Sequence, residues 1–132
     1  MHKQLAPRPH GFIDYALVLF FVLAPSLFGY GDDDRAALTS YIVAAAHLGL
    51  SVLTAYPLGL VKLIPFPIHG RMELVIAFVL VALPWIVGFS ENDAARNVFI
   101  ASGVATLAVY LLTDYRTSDI GTTWGRGRPA TR

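Results

Sequence analysis

Cysteine is absent from the 132 residues, which excludes disulfides, thiolate nucleophiles and cysteine-held metals or clusters. Charge is scarce as well: Asp, Glu, Lys and Arg together make up 14% of the chain, and the formal net charge is only +1. No basic run interleaved with aromatics is present to track a phosphate backbone, so nucleic acid is not an expected partner. No serine or threonine stands in a recognisable nucleophile arrangement and no glycine-rich phosphate loop follows a strand, so the chain does not read as an enzyme. What is abundant is apolar residues, at 55% with a mean hydropathy of +0.57, well outside soluble usage. The class is integral membrane.

Four apolar stretches are long enough to span: roughly Phe12 to Tyr30, Ala36 to Tyr56, Met72 to Phe89 and Ala95 to Tyr115. At about 1.5 Å of rise per residue, each covers roughly the 30 Å of a hydrocarbon core. The turns "GYGDDDR" and "GFSENDAAR" are short, polar and glycine-marked, so each flanking pair is expected to form a helical hairpin. Lys3, Arg8, Lys62, Arg71, Arg116, Arg126, Arg128 and Arg132 fall on one side. Only Arg35 and Arg96 fall on the other, together with Asp32, Asp33, Asp34, Glu91 and Asp93. The positive-inside rule then places both termini and the central loop in the cytoplasm. A cleaved signal peptide is the weaker reading of the N-terminus, because Asp14 interrupts the start of a long run that lacks a clean small-x-small site.

Displacing the chain by 59 residues aligns it with itself: His10 falls on His69, Gly11 on Gly70, Asp14 on Glu73, Pro25 on Pro84 and Gly29 on Gly88. Tyr30 likewise falls on Phe89, Asp34 on Asp93, Thr54 on Thr113 and Tyr56 on Tyr115. Matches of Pro, Gly, His, acid and Tyr at one offset are rarely accidental. Each copy holds two spans and enters from the same side, so the expected axis is a pseudo-two-fold along the membrane normal. The expected fold is thus an all-α membrane protein of four transmembrane helices in two tandem hairpin repeats. Its segments are an N-terminal stretch 1–9, repeat 1 at 10–56, an interfacial linker 57–68, repeat 2 at 69–115 and a polar basic tail 116–132.

The "HGFIDY" and "HGRMEL" entries, with a proline element and a glycine-aromatic turn, resemble the SPW repeat family of small bacterial membrane proteins. The likeness runs from about His10 to Tyr115; the Ser-Pro-Trp element reads Ala24-Pro25-Ser26 in the first copy and Leu83-Pro84-Trp85 in the second. The resemblance implies the fold and the bacterial inner membrane as location, and implies no particular activity.

Each His shares a helix face with the acid four residues on, and the returning helices end in Tyr56 and in Asp114-Tyr115. One layer at the cytoplasmic face can therefore hold His10, Asp14, His69, Glu73, Asp114, Tyr56 and Tyr115, with Tyr15 nearby. Two imidazoles and two or three carboxylates suit a divalent transition metal such as Zn, Fe or Cu. The same residues can instead exchange protons, or cap helix ends and pin the hairpins together.

His47, in "AAAHLG", is matched by Thr106 in the other copy and is a separate intramembrane candidate. Its small neighbours leave room for a haem or chlorin, and the simpler expectation is a hydrogen bond to the Phe21 carbonyl freed by Pro25. Pro25 and Pro84 are expected to kink their helices, and Tyr30, Phe89 and Trp85 to form an aromatic belt. The linker "PLGLVKLIPFPIH" should lie in the interface with Lys62 toward headgroups, and Trp124, Arg126 and Arg128 suit a partner or anionic lipid.

The function favoured by these residues is a small non-catalytic membrane protein, an accessory or scaffold subunit of a larger complex, photosynthetic or respiratory. No cofactor is assigned outright. A binding protein for metal, haem or pigment, and a dimeric small-ion transporter, are the alternatives; besides lipid, other membrane subunits or self-association are the expected partners.

Overall fold

The computed structural model describes residues 5–118 and 120. Four helices dominate: α1 (Pro7–Leu27), α2 (Asp34–Val52), α3 (Phe66–Leu83) and α4 (Asp93–Leu112). A π-helical turn, Pro84–Gly88, prolongs α3. All four are long and apolar enough to cross a membrane, at 19 to 23 residues with α3 counted through Gly88. Between 28% and 39% of each span is buried within the chain, so the greater part of every helix faces outward, toward lipid.

Local chemistry explains the helix ends. α1 and α3 start on prolines, which lack the amide hydrogen that a first turn could not use, and neither start has a side-chain cap. α2 and α4 start on Asp33 and Asn92, whose side-chain oxygens accept from the Ala36 and Ala95 amides at 3.2 and 3.1 Å. Gly29 (φ 73) and Gly88 (φ 94) close the helices at that same end. The Asn92 amide also donates to Asp33 at 3.0 Å, so the two caps join the hairpins across the repeat.

At the opposite end, the linker is anchored to the bundle at its two ends while Leu60, Val61 and Leu63 between them stay exposed. Strand β1 (Thr54–Ala55) pairs in parallel with β2 (Ile64–Pro65), matching Thr54 with Ile64. Leu5 pairs with Thr113 in the same parallel sense, so the repeat's symmetry extends into this end of the bundle. Lys62 is exposed, and its Nζ donates to the Tyr56 and Gly59 carbonyls at 2.7 and 2.9 Å and closes the linker's turn.

Within the bundle, α1 packs chiefly on α2 and α3 on α4. The apolar core gathers Phe21, Ala24, Ala36, Leu80, Ala95 and Phe99 near the middle and the capped end. Two residues expected in an aromatic belt belong to this core instead. Tyr30 and Phe89 are 1% and 2% exposed, because the glycine turns fold them back under the bundle; Trp85, at 56%, lies on the outside. The prolines also act differently from each other. Pro25 sits inside a continuous α1, whereas Pro84 marks the change from α to π winding. Both turns nevertheless close alike, with Tyr30 donating to the Pro25 carbonyl and Phe89 to that of Pro84. Trp124, Arg126 and Arg128 lie outside the described residues.

Candidate metal centre

The buried positions of α1 near its start are Pro7, His10, Gly11 and Asp14; those of α3 are Phe66, His69, Gly70 and Glu73. A spacing of three and four residues puts each set on one helical face, and the two-fold turns these faces toward each other. The result is a hub in which His10, Asp14, His69 and Glu73 are each no more than 2% exposed. One ligand atom from each lies within 4.8 Å of the other three.

Hydrogen-bond arithmetic fixes how the imidazoles are presented. Thr54 donates its hydroxyl hydrogen to the Leu50 carbonyl, and Thr113 donates to that of Val109, both at 2.6 Å. Each hydroxyl has then spent its only hydrogen, so it must accept from the imidazole nitrogen beside it. Those nitrogens are His69 Nδ1, 2.7 Å from Thr54, and His10 Nδ1, 2.8 Å from Thr113. With hydrogen on Nδ1, the neutral rings turn bare Nε2 atoms inward, 3.2 Å apart. The carboxylates supply further acceptors. Asp14 oxygens lie 3.3 Å from both Nε2 atoms, and Glu73 Oε2 lies 3.3 Å from His10 Nε2 and 3.8 Å from His69 Nε2.

An array of inward-facing acceptors requires cations among them, either protons or a metal ion. A divalent transition metal fits by two independent measures. Four ligands at about 2.0–2.2 Å in a tetrahedron stand roughly 3.3–3.6 Å from one another; the histidine nitrogens lie 3.2–3.8 Å from each other and from the nearest carboxylate oxygens, and one donor atom from each residue lies within 4.8 Å of the rest, so an ion would draw them somewhat closer. One divalent ion with two carboxylates and two neutral imidazoles is also net neutral, which keeps the cost of burial low. Nδ1–H held by a fixed acceptor is the outer-shell arrangement that orients a metal-ligating histidine.

The carboxylates have their own supports. Tyr56 donates to Asp14 at 2.8 Å and Tyr115 to Glu73 at 2.5 Å. Burial, with the neighbouring carboxylate adding to it, pushes both phenols above their ordinary range, so both remain donors. The glycine of each entry motif makes this reach possible. A Cβ on Gly70 would stand 2.9 Å from three Tyr115 ring atoms; one on Gly11 would stand 3.0 Å from Tyr56 and 2.8 Å from Leu58. Phe66 closes the hub, stacking on Tyr56 with ring centroids 5.4 Å apart and meeting His10 edge-on at 5.3 Å.

The structure thus brings together six of the seven residues expected in the layer. Asp114 departs: it forms a two-point ion pair with the Arg116 guanidinium and is not among the four convergent donors. Its helix ends at Leu112, so the chain has already turned outward there. Tyr15 donates to the Leu58 carbonyl and holds the linker rather than an acid.

His47 is the second correction. It does not serve the Phe21 carbonyl as expected; its Nε2 lies 3.3 Å from Asp14 Oδ1, so it joins the hub. α2 is rotated to bring His47 beside the first turns of α1, an orientation that counting rise along a helix does not reveal. A crevice of about 270 Å³ adjoins it, below the roughly 300–1,000 Å³ of ordinary ligand pockets and small for a haem or chlorin. Thr54, Thr113, Phe66 and the two glycines had no role assigned from sequence. The recurrence of Thr54 and Thr113 at the repeat offset was the available signal.

The fold and hub together define a small four-helix membrane bundle built from two tandem hairpins around a shared polar centre. The SPW repeat domain profile matches residues 8–113, and the chain belongs to that family. Among the curated proteins no match was found. Among the solved structures there was likewise none.

Proposed function

We infer that this protein is a metal-binding integral membrane protein, with one divalent transition metal held by His10, His69, Asp14 and Glu73. The observation that carries the reading is the pair of threonine hydroxyls, which leaves both Nε2 atoms facing two carboxylates as acceptors. Imidazole and carboxylate ligands without a thiolate favour Zn, Fe or Mn. With zinc, four protein donors would fill the tetrahedral shell, and every donor is buried, which supports a structural centre in a non-catalytic protein. The metal fastens the start of α1 to the start of α3 where two hairpins would otherwise meet through a few side chains.

The rival reading puts two protons on the inward nitrogens, giving an ion-paired lock of equal net charge without metal. Elemental analysis of the full chain, purified in mild detergent without a polyhistidine tag, separates the two. About one equivalent of metal per chain is expected, falling at least tenfold in His10→Ala and His69→Ala. Metal-free protein that stays metal-free after dialysis against zinc would end the metal reading and leave the proton lock.

The distribution of Lys and Arg supports placing the hub end and both termini on the cytoplasmic side of a bacterial inner membrane. Accessory membership of a larger complex is compatible with a structural metal, and co-purification from native membranes tests it separately.

A further inference from the structure

Among the described residues the most exposed large apolar side chain is Leu60, at 78%, in the loop between β1 and β2. Leu63 follows at 70%, above the 62% of Phe12 on the outward face of α1, and Val61 between them is exposed as well. Lys62 is the only charge in the loop. The doubled design does not require this apolar tip. At the repeat offset, Leu60, Val61, Lys62 and Leu63 fall on Asp119, Ile120, Gly121 and Thr122. A cluster of exposed leucine and valine marks an interaction surface.

The contacts of the loop fix its depth. α1 is 21 residues long, about 30 Å, so its fifth residue, Gly11, lies roughly 6 Å inside the end of a span. Leu58 rests on Gly11, where an added Cβ would stand 2.8 Å from Leu58 Cδ1, and the Leu58 carbonyl accepts from Tyr15. On the α2 side, Leu60 and Val61 donate to the Val52 carbonyl, and Leu63 and Ile64 to that of Leu53. The loop is thereby held beside the ends of two spans, level with the boundary between acyl chains and headgroups.

Its polar atoms suit that setting. A non-helical segment at membrane depth has to satisfy its backbone within the protein. The amides of Gly59, Leu60, Val61, Leu63 and Ile64 all donate to carbonyls, and the Tyr56, Leu58 and Gly59 carbonyls accept from side chains. Lys62 spends two of its three ammonium hydrogens on Tyr56 and Gly59, which leaves one for a phosphate oxygen. The loop thus turns its backbone inward and presents leucine, valine and one anchored cation outward, the chemistry of a leaflet with acyl chains beneath phosphate. The spans on which it rests already face outward over most of their surface, so its apolar tip continues theirs.

We propose that residues 60–63 form a lipid anchor, in which Leu60, Val61 and Leu63 enter the upper acyl region of the leaflet at the hub end and the Lys62 ammonium meets a phospholipid phosphate. The anchor sets the height of the hub in the membrane, and it is independent of whether metal or protons fill the hub.

Because the chain has no cysteine, single-cysteine variants can be spin-labelled without further change. Leu60→Cys, Leu63→Cys, lipid-facing Phe12→Cys and Asp32→Cys in the exposed polar turn are each labelled and reconstituted at one chain per nanodisc of phosphatidylglycerol and phosphatidylcholine. Power saturation then compares relaxation by oxygen, which partitions into lipid, with relaxation by a nickel chelate, which stays in water. Labels at 60 and 63 are expected to behave as the label at 12 does, with oxygen exceeding nickel roughly threefold, and the label at 32 to show the reverse order. Nickel exceeding oxygen at either loop position would place the loop in water and overturn the proposal. Shielding from both reagents would overturn it too, as the sign of a protein cover. In a chain labelled at Val61→Cys, adding Leu60→Asp and Leu63→Asp should raise nickel accessibility roughly threefold while circular dichroism keeps the parent's helix content. Accessibility unchanged by the two acids would show that these side chains do not hold the loop in lipid, and would equally sink the anchor.

Discussion

The two repeats occupy matching positions and reach the same packing by different chemistry. In the first, Tyr30 and Ser40 share a buried hydrogen bond of 2.9 Å; in the second, Phe89 and Phe99 stand at those places as an edge-on pair with centroids 5.1 Å apart. A buried hydroxyl pair and an aromatic pair fill similar space without leaving a polar atom unpaired. At the hub end the two copies are closer. The threonine, tyrosine and histidine contacts repeat almost bond for bond, and the additions are His47 and Phe66. The difference teaches where exchange is tolerated. Apolar packing accepts any arrangement that fills the volume, whereas convergent polar atoms demand the same donors in both halves.

Breaking the hub from either side is the strongest way to challenge that equivalence. His10→Ala and His69→Ala should each lower stability by about 3–5 kcal/mol, as expected when one partner of a buried polar cluster is removed. Thermal unfolding in detergent should show similar losses for both; a harmless variant on one side would break the symmetry. Next, Gly70→Ala should cost about 1–3 kcal/mol by displacing Tyr115, three of whose ring atoms would stand 2.9 Å from the new methyl. Gly11→Ala should cost less, since its nearest obstacle is the movable end of Leu58. Comparing the two melting temperatures measures how rigidly each tyrosine is seated.

Thr54→Val and Thr113→Val sharpen the comparison at the outer shell. Each removes the acceptor of one Nδ1–H, and each should cost about 1–3 kcal/mol and weaken metal binding roughly 10–100-fold. Competition with a chromogenic chelator reads the affinity, and equal losses are expected. Tyr30→Phe gives the first repeat the second repeat's residue but leaves the Ser40 hydroxyl without its partner, at about 0.5–1.5 kcal/mol by chemical or thermal denaturation. The smallest effect at neutral pH concerns Tyr56 and Tyr115. Their phenols are pushed up in the folded protein, so on raising the pH the unfolded chain loses these protons first. Stability should be unaffected by them below about pH 10 and fall above it. Ultraviolet titration of the folded protein should show both remaining neutral while exposed tyrosines ionise.

Much of the architecture was legible because its causes are local or periodic. Four apolar runs, two glycine-marked turns and one repeat offset require only neighbours along the chain, and the helices and the pairing of His10 with His69 follow from them. Tyr30 and Phe89 were misplaced because an aromatic beside a glycine turn reads as interfacial, and only the turn's direction tells burial from exposure. Asp114 was misplaced because one residue beyond a helix end the chain is free to turn either way.

What the sequence by itself determined, then, is the membrane class, the doubled hairpin and the presence of a His-acid face at the entry of each copy. Hydrophobic length and helical periodicity set these before any tertiary contact forms. The tertiary structure alone decided that Thr54 and Thr113 orient the imidazoles, that His47 turns to Asp14, and that the linker folds over the hub. Those outcomes depend on the rotation of each helix about its own axis and on the path of the connecting chain. Packing and hydrogen-bond satisfaction choose both only when all four helices are in place.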